Sequence, residues 1–217
     1  GKDIPKKMPD EEKWEALLEE WRKLDLDGYR IAWRDGTNMT NKRTLIQAIV
    51  PRKVALTHTA PFVRPFQLVV EEKGITWRRQ YSHRCLLYLA GIMSTYAADS
   101  IVKGDAVKSH MTSQLFKDLH VPEWSESQRQ LRIAELCAML TCLPATEERP
   151  WADYTDLGKA VGVDPETDAL TGVEERRDAE VEINALANKE YGLDRDGFEF
   201  LIDELFDTPK HREEHFT

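Results

Sequence analysis

Tyr29-Arg30-Ile31-Ala32-Trp33-Arg34 is where the chain changes period. Before it, Trp14, Leu17, Leu18 and Trp21 recur at helical spacing. Asp10 is placed to cap that helix, Glu11 and Glu12 suit the positive end of its dipole, and Asp27-Gly28 turns the chain. From Tyr29 the alternation is twofold. Tyr29, Ile31 and Trp33 fall on one side and Arg30, Ala32 and Arg34 on the other, the pattern of a half-buried strand with a basic outer face. Working outward, a polar loop over 35–43 leads to a second strand over 44–50, closed by Pro51. Further strands are expected at 54–57, 66–70 and 75–78. Short β elements separated by turn residues predict a small curved, mostly antiparallel sheet.

At Ser82 the period returns to that of a helix. Leu86, Leu87, Leu89, Ala90, Ile92 and Met93 make an apolar face too wide for a surface helix, so this one is expected to be largely buried and to end at Gly104. A short helix at 113–119 stops at His120-Val121-Pro122. Helices at 125–143, 151–162, 174–191 and 195–206 follow, with an exposed loop at 164–172. The fold class is therefore α+β: a small sheet with packed helices, followed by an all-helical part. The expected division is an N-terminal amphipathic helix and linker (1–27), a sheet-bearing domain (28–124) and an acidic helical domain (125–217).

The net charge of −9 conceals a strong asymmetry. Residues 28–120 hold 14 Lys and Arg against 6 Asp and Glu, whereas residues 121–217 hold 10 against 24, and residues 1–27 hold 6 against 9. A surface field depends on where charge sits, so a basic middle between acidic flanks suits a protein that grips phosphate on one face. The bland alternative is that the acidic ends pair with the basic middle. No run approaches the roughly 18 apolar residues of a membrane span, and the start lacks the apolar core of a signal peptide. No membrane association is expected. The leading Gly, without Met, is what a piece cut from a longer polypeptide is expected to show. Cys85, Cys137 and Cys142 form neither an even disulfide set nor a CxxC spacing, and are expected as buried free thiols in a reducing cytoplasm.

Three ordered pieces carry a family resemblance. The first is Arg30-Ile31-Ala32-Trp33-Arg34-Asp35 with Thr40-Asn41-Lys42-Arg43-Thr44-Leu45-Ile46-Gln47-Ala48-Ile49-Val50-Pro51. The second is Leu86-Leu87-Tyr88-Leu89-Ala90-Gly91-Ile92-Met93-Ser94-Thr95, leading through Lys108-Ser109-His110-Met111-Thr112 to Leu119-His120-Val121-Pro122. The third is Ile183-Asn184-Ala185-Leu186-Ala187 with Tyr191-Gly192-Leu193 and Phe198-Glu199-Phe200-Leu201-Ile202-Asp203. Over about residues 29 to 205 the chain resembles the target-recognition region and helical tail of adenine-N6 DNA methyltransferases. These include the fused type IIG restriction–modification enzymes and the methyltransferases of DISARM- and BREX-like phage-defence loci. Members carry a catalytic Asn- or Asp-Pro-Pro-Tyr/Phe tetrapeptide and a glycine-containing AdoMet loop. This chain has no Pro-Pro pair at all.

The resemblance implies recognition of double-stranded DNA without catalysis: AdoMet and methyl transfer belong to a separate catalytic domain, and this chain alone holds no cofactor. The expected partners are duplex DNA and that methyltransferase domain or other defence-system subunits. The loop Thr37, Asn38, Thr40, Asn41, Lys42 and Arg43 is the first candidate for base reading. Asn suits adenine N6/N7, Arg suits guanine O6/N7, and a solvated hairpin loop favours the same residues. Arg34, Arg52, Lys53, Arg64, Arg78, Arg79, Lys103 and Lys108 are candidate phosphate contacts, which position a protein without reading sequence. His58, Thr59, Ser109 and His110 lie where a side chain could reach a base. Two rival classes are an interaction module of a defence complex and a metal-dependent nuclease built on Glu71 and Lys73 with Asp10 upstream, in which the Asp10 and Glu71 carboxylates would have to converge on an ion. His211 and His215 have zinc-helix spacing but no third ligand in view, and read as a frayed tail.

Overall fold

The structure is a computed structural model that describes residues 25–37, 43–71, 74–105 and 110–205. The helix expected over 10–27 lies outside these residues except for its last three, which are helical. Strand β1 (Arg30–Trp33) pairs antiparallel with β2 (Gln47–Val50), Arg30 opposite Val50 and Trp33 opposite Gln47. Strand β3 (Phe66–Glu71) pairs antiparallel with β4 (Gly74–Arg79), Phe66 opposite Arg79. The fold is α+β, its sheet content divided into two two-stranded antiparallel ladders.

The two ladders are joined through the segment before β3. Trp33 N–H donates to Pro61 O (3.0 Å) and Val63 N–H to Ile31 O (2.8 Å), so residues 61–63 cover the free edge of β1 before running into β3. Residues 54–57, expected as a strand, are not one. Gly28 makes the junction possible, since a Cβ there would sit 2.5 Å from Pro65 Cγ.

β1 is buried along its whole length, which corrects the expected basic outer face. Arg30 is only 1 % exposed. Its Nη2 donates to Val54 O and its guanidinium lies over the Phe62 ring at 5.0 Å. Alternation could not foresee this, because the cover comes from residues 24 to 32 positions away. On the other side Tyr29, Ile31 and Trp33 enter the core. Trp33 stacks on Phe116 (4.0 Å between ring centres), and its Nε1–H donates to Met111 O at 3.0 Å.

The helices are α1 (His83–Met93), α2 (Tyr96–Asp105), α3 (Ser113–Asp118), α4 (Gln128–Thr141), α5 (Thr155–Lys159), α6 (Val173–Glu190) and α7 (Arg195–Leu205). Ser82 caps α1 by accepting from Cys85 N–H, and Ser127 caps α4 by accepting from Gln130 N–H. The single helix expected to run to Gly104 is two, bent by 66° at Ser94-Thr95. The cause is local: Ser94 Oγ donates to Gly91 O and Thr95 Oγ1 to Ile92 O, both at 2.7 Å, hydroxyls competing for helix acceptors. No single helix among the described residues is long and apolar enough to cross a membrane.

α1 lies against α4, and α4 against α6. The α1–α4 approach turns on Gly91, where a Cβ would fall 2.6 Å from Ile133 Cγ2. α6 turns Ala179, Ile183 and Ala187 inward. One continuous core therefore takes in Ile31, Leu87, Ile133, Leu157 and Ile183, and the boundary expected at 124/125 runs through it. Polar ties reinforce the join: Tyr29 Oη donates to Asp153 O (3.1 Å), and Tyr154 Oη to Ile49 O (3.0 Å). Gln130, itself buried, bonds Ser125 N, Glu123 O and Glu190 Oε2. The three thiols are free. Cys137 and Cys142 are buried, with pKa values pushed up to about 12 chiefly by desolvation, and Cys85 is half-buried.

Candidate nucleic-acid interface

The cationic residues of the central segment separate into inward and outward sets. The inward set begins at the loop before β2. Thr37 is 6 % exposed and its Oγ1 donates to Thr44 O at 2.8 Å, so its hydroxyl closes the loop from within. Arg43 Nη2 donates to Ser94 O (2.6 Å) and Thr95 O (3.0 Å), its guanidinium lies 4.8 Å over the Tyr96 ring, and Nε is 3.7 Å from Asp99. It thereby satisfies carbonyls at the α1–α2 bend. Asp99 also accepts from Thr44 N–H (2.9 Å) and Leu45 N–H (2.7 Å), and burial raises its carboxyl above the usual range. Arg52 pairs with Asp156 at 2.8 Å and covers Tyr29 at 4.6 Å. Arg43, expected as a base contact, is thus engaged inside the fold, and Arg52, expected as a phosphate contact, is paired at the surface with a carboxylate of the acidic third. Lys103 is half-buried on α2. Asn38, Thr40, Asn41, Lys42, Lys108 and Ser109 lie outside the described residues, as do Lys73, His211 and His215.

The outward set forms two groups. One stands at the end of β1: Arg34 is exposed, Asp35 N–H donates to Thr59 O (3.1 Å), and Met111 N–H donates to Asp35 O (2.7 Å). These bonds bring exposed His58, Thr59 and His110 beside Arg34. His110 Nδ1 is 2.9 Å from Asp35 Oδ2, and Thr59 Oγ1 is 2.7 Å from Thr57 Oγ1. Sequence reading passed over Asp35, whose only local signal is its place in a turn.

The other group stands at the base of the β3–β4 hairpin. Arg64, Arg78 and Arg79 are all exposed. Gln80 ties them together: its N–H donates to Pro65 O, and its Nε2 donates to Arg64 O (3.1 Å) and Phe66 O (3.2 Å). The register sets Arg78 opposite Gln67 and Arg79 opposite Phe66, the Arg79 guanidinium lying 5.0 Å over that ring. Arg79 Nη1 is 3.5 Å from His83 Nε2, and burial, then Arg79 and Arg52, hold the imidazole below its ordinary pKa. Lys53, exposed and in the left-handed region (φ 63°), donates its N–H to Leu26 O. Among the described elements the hairpin packs mainly on itself. A two-stranded ribbon of this kind has the width that a DNA major groove admits.

Among the described residues no group of three or more His, Cys, Asp or Glu is placed to hold a metal ion. Comparison with protein-family models, with curated proteins and with solved structures finds no match.

Proposed function

We propose that the chain recognises double-stranded DNA through the β3–β4 ribbon, as the specificity portion of an adenine-N6 DNA methyltransferase in a restriction or phage-defence system. The observation that carries the reading is the ribbon itself: Arg64, Arg78 and Arg79 stand exposed at the base of a hairpin that packs mainly on itself among the described elements. Arginines in that setting take phosphate oxygens, and one that reaches the groove floor takes guanine O6 and N7. The group at the end of β1, with Arg34, His58, Thr59 and His110, supplies a second set of donors. Methyl transfer, AdoMet and the flipped adenine belong to the catalytic domain, and the setting is the cytoplasm. Anisotropy titration with pooled duplexes across a salt series tests this. Log affinity should fall linearly with log salt, and absence of binding at low salt rejects the reading.

A second reading is an interaction module for other defence subunits. It is favoured by a groove of about 960 Å3 between α6 and α7, lined by Val181, Leu193, Phe198 and Ile202. Val181 is 61 % exposed there, and Phe200 on α7 is 68 % exposed. Large exposed apolar side chains mark contact surfaces. Val181→Asp should abolish capture of such a partner and leave DNA binding intact.

A further inference from the structure

A second cavity of about 490 Å3, sharing Tyr96, Glu180 and Asn184 with the groove between α6 and α7, lies between β2, the α1–α2 bend, α4 and α6, a size that takes small-molecule ligands. Arg43 and Arg176 both line it. Each is held by carbonyls at a helix end: Arg43 by Ser94 and Thr95, and Arg176 through Nη1 by Leu140 O (3.1 Å), in the last turn of α4, and Leu170 O (2.8 Å). Such bonds satisfy acceptors that a helix C-terminus leaves open. They also fix two guanidiniums in orientation before any ligand arrives, which lowers the entropy lost on binding.

The two charges are compensated differently. Arg43 has Asp99 at 3.7 Å. Arg176 has no carboxylate partner within 4.0 Å among the described residues. A guanidinium carries five N–H donors, so Nε and Nη2 of Arg176 remain beyond the two carbonyl bonds of Nη1. Ile46, Leu140 and Ile183 supply apolar wall, and Glu180 adds a single negative charge.

We infer that this cavity binds a small molecule bearing one oxyanion group, a carboxylate or a phosphate monoester, on an apolar body. Arg176 offers the forked donors that either oxyanion accepts, and Arg43 adds positive potential. Glu180 disfavours a polyanion, and none of the described hairpin residues lines the cavity, which sets the site apart from the proposed DNA surface.

Calorimetric titration of the whole chain with benzoate and with phenyl phosphate tests the site and tells the two oxyanions apart, with benzyl alcohol as the uncharged control. At least one anion should bind saturably and benzyl alcohol should not. Arg176→Gln should weaken that binding about tenfold or more, the effect of removing a charge-assisted hydrogen bond. Ile46→Trp, which enlarges a wall side chain that is 40 % exposed and holds neither arginine, should abolish it. If Arg176→Gln fails to fold, Ile46→Trp decides. Binding of neither anion, or wild-type binding in Ile46→Trp, overturns the inference.

Discussion

Arg43 and Arg78 belong to the same basic segment, yet the fold gives them opposite circumstances. Arg43 meets two helix-end carbonyls, an aromatic face and a buried aspartate, and becomes part of the frame that bends α1 into α2. Arg78 stands exposed on the β3–β4 ribbon, opposite Gln67. Counting charge along the chain treats them alike. What separates them is where unsatisfied backbone acceptors lie: a guanidinium that reaches open backbone carbonyls, at a helix end or in a loop, is drawn into structure, and one on a ribbon keeps its access to solvent. Arg30 is the extreme of the first class and Arg64 an exposed member of the second.

The comparison breaks most sharply at Asp99. Asp99→Ala leaves Arg43 without its counter-charge and the Thr44 and Leu45 N–H groups without an acceptor in a buried setting. It should cost about 3–5 kcal/mol, read as loss of cooperative unfolding or a large fall in denaturant midpoint. Arg52 sits between the two classes, paired with Asp156 but about one-third exposed. Arg52→Ala should lower stability by no more than about 1 kcal/mol in the same assay. A larger loss would move Arg52 into the structural class.

The smallest effect is a pH dependence at the ribbon's base. His83 is held below its ordinary value of 6.5 by burial, then by Arg79 and Arg52. The unfolded chain accepts a proton there that the folded chain resists. Stability from this group is therefore complete above pH 6.5 and declines as pH falls through 6.5 toward the folded-state value. His83→Gln should flatten that part of a Tm-against-pH curve; an unchanged slope would assign it to other groups.

Elements with a strong local period were legible in the sequence. The strands at β1 to β4 and the helices from α3 onward fall within a few residues of where alternation, apolar spacing and caps place them. What was not legible depends on side-chain hydrogen bonds that periodicity does not register or on distant partners. The apolar spacing from Leu86 runs on past Met93, and only the Ser94 and Thr95 hydroxyls, with Arg43 arriving from the other side of the bend, break the helix. Residues 54–57 have strand-like composition, but 61–63 take the β1 edge instead. The division at 124/125 was set where the run of C-terminal helices begins, whereas Leu87, Ile133 and Ile183 make one core across it. At the candidate interface, sequence marked the exposed arginines and the buried ones without distinction, since residue type sets charge and only packing sets access.

The central claim is that the ribbon arginines act jointly on a polyanion. It is tested most directly by comparing Arg78→Ala/Arg79→Ala with Arg149→Ala/Arg177→Ala, which removes the same charge from two exposed sites in the acidic third. In anisotropy titrations with pooled duplexes, the ribbon variant should lose about tenfold in affinity at low salt, with its log–log salt slope reduced by about 2. The control should match the wild type. Equal losses in both variants, or an unchanged salt slope in the ribbon variant, would contradict the account.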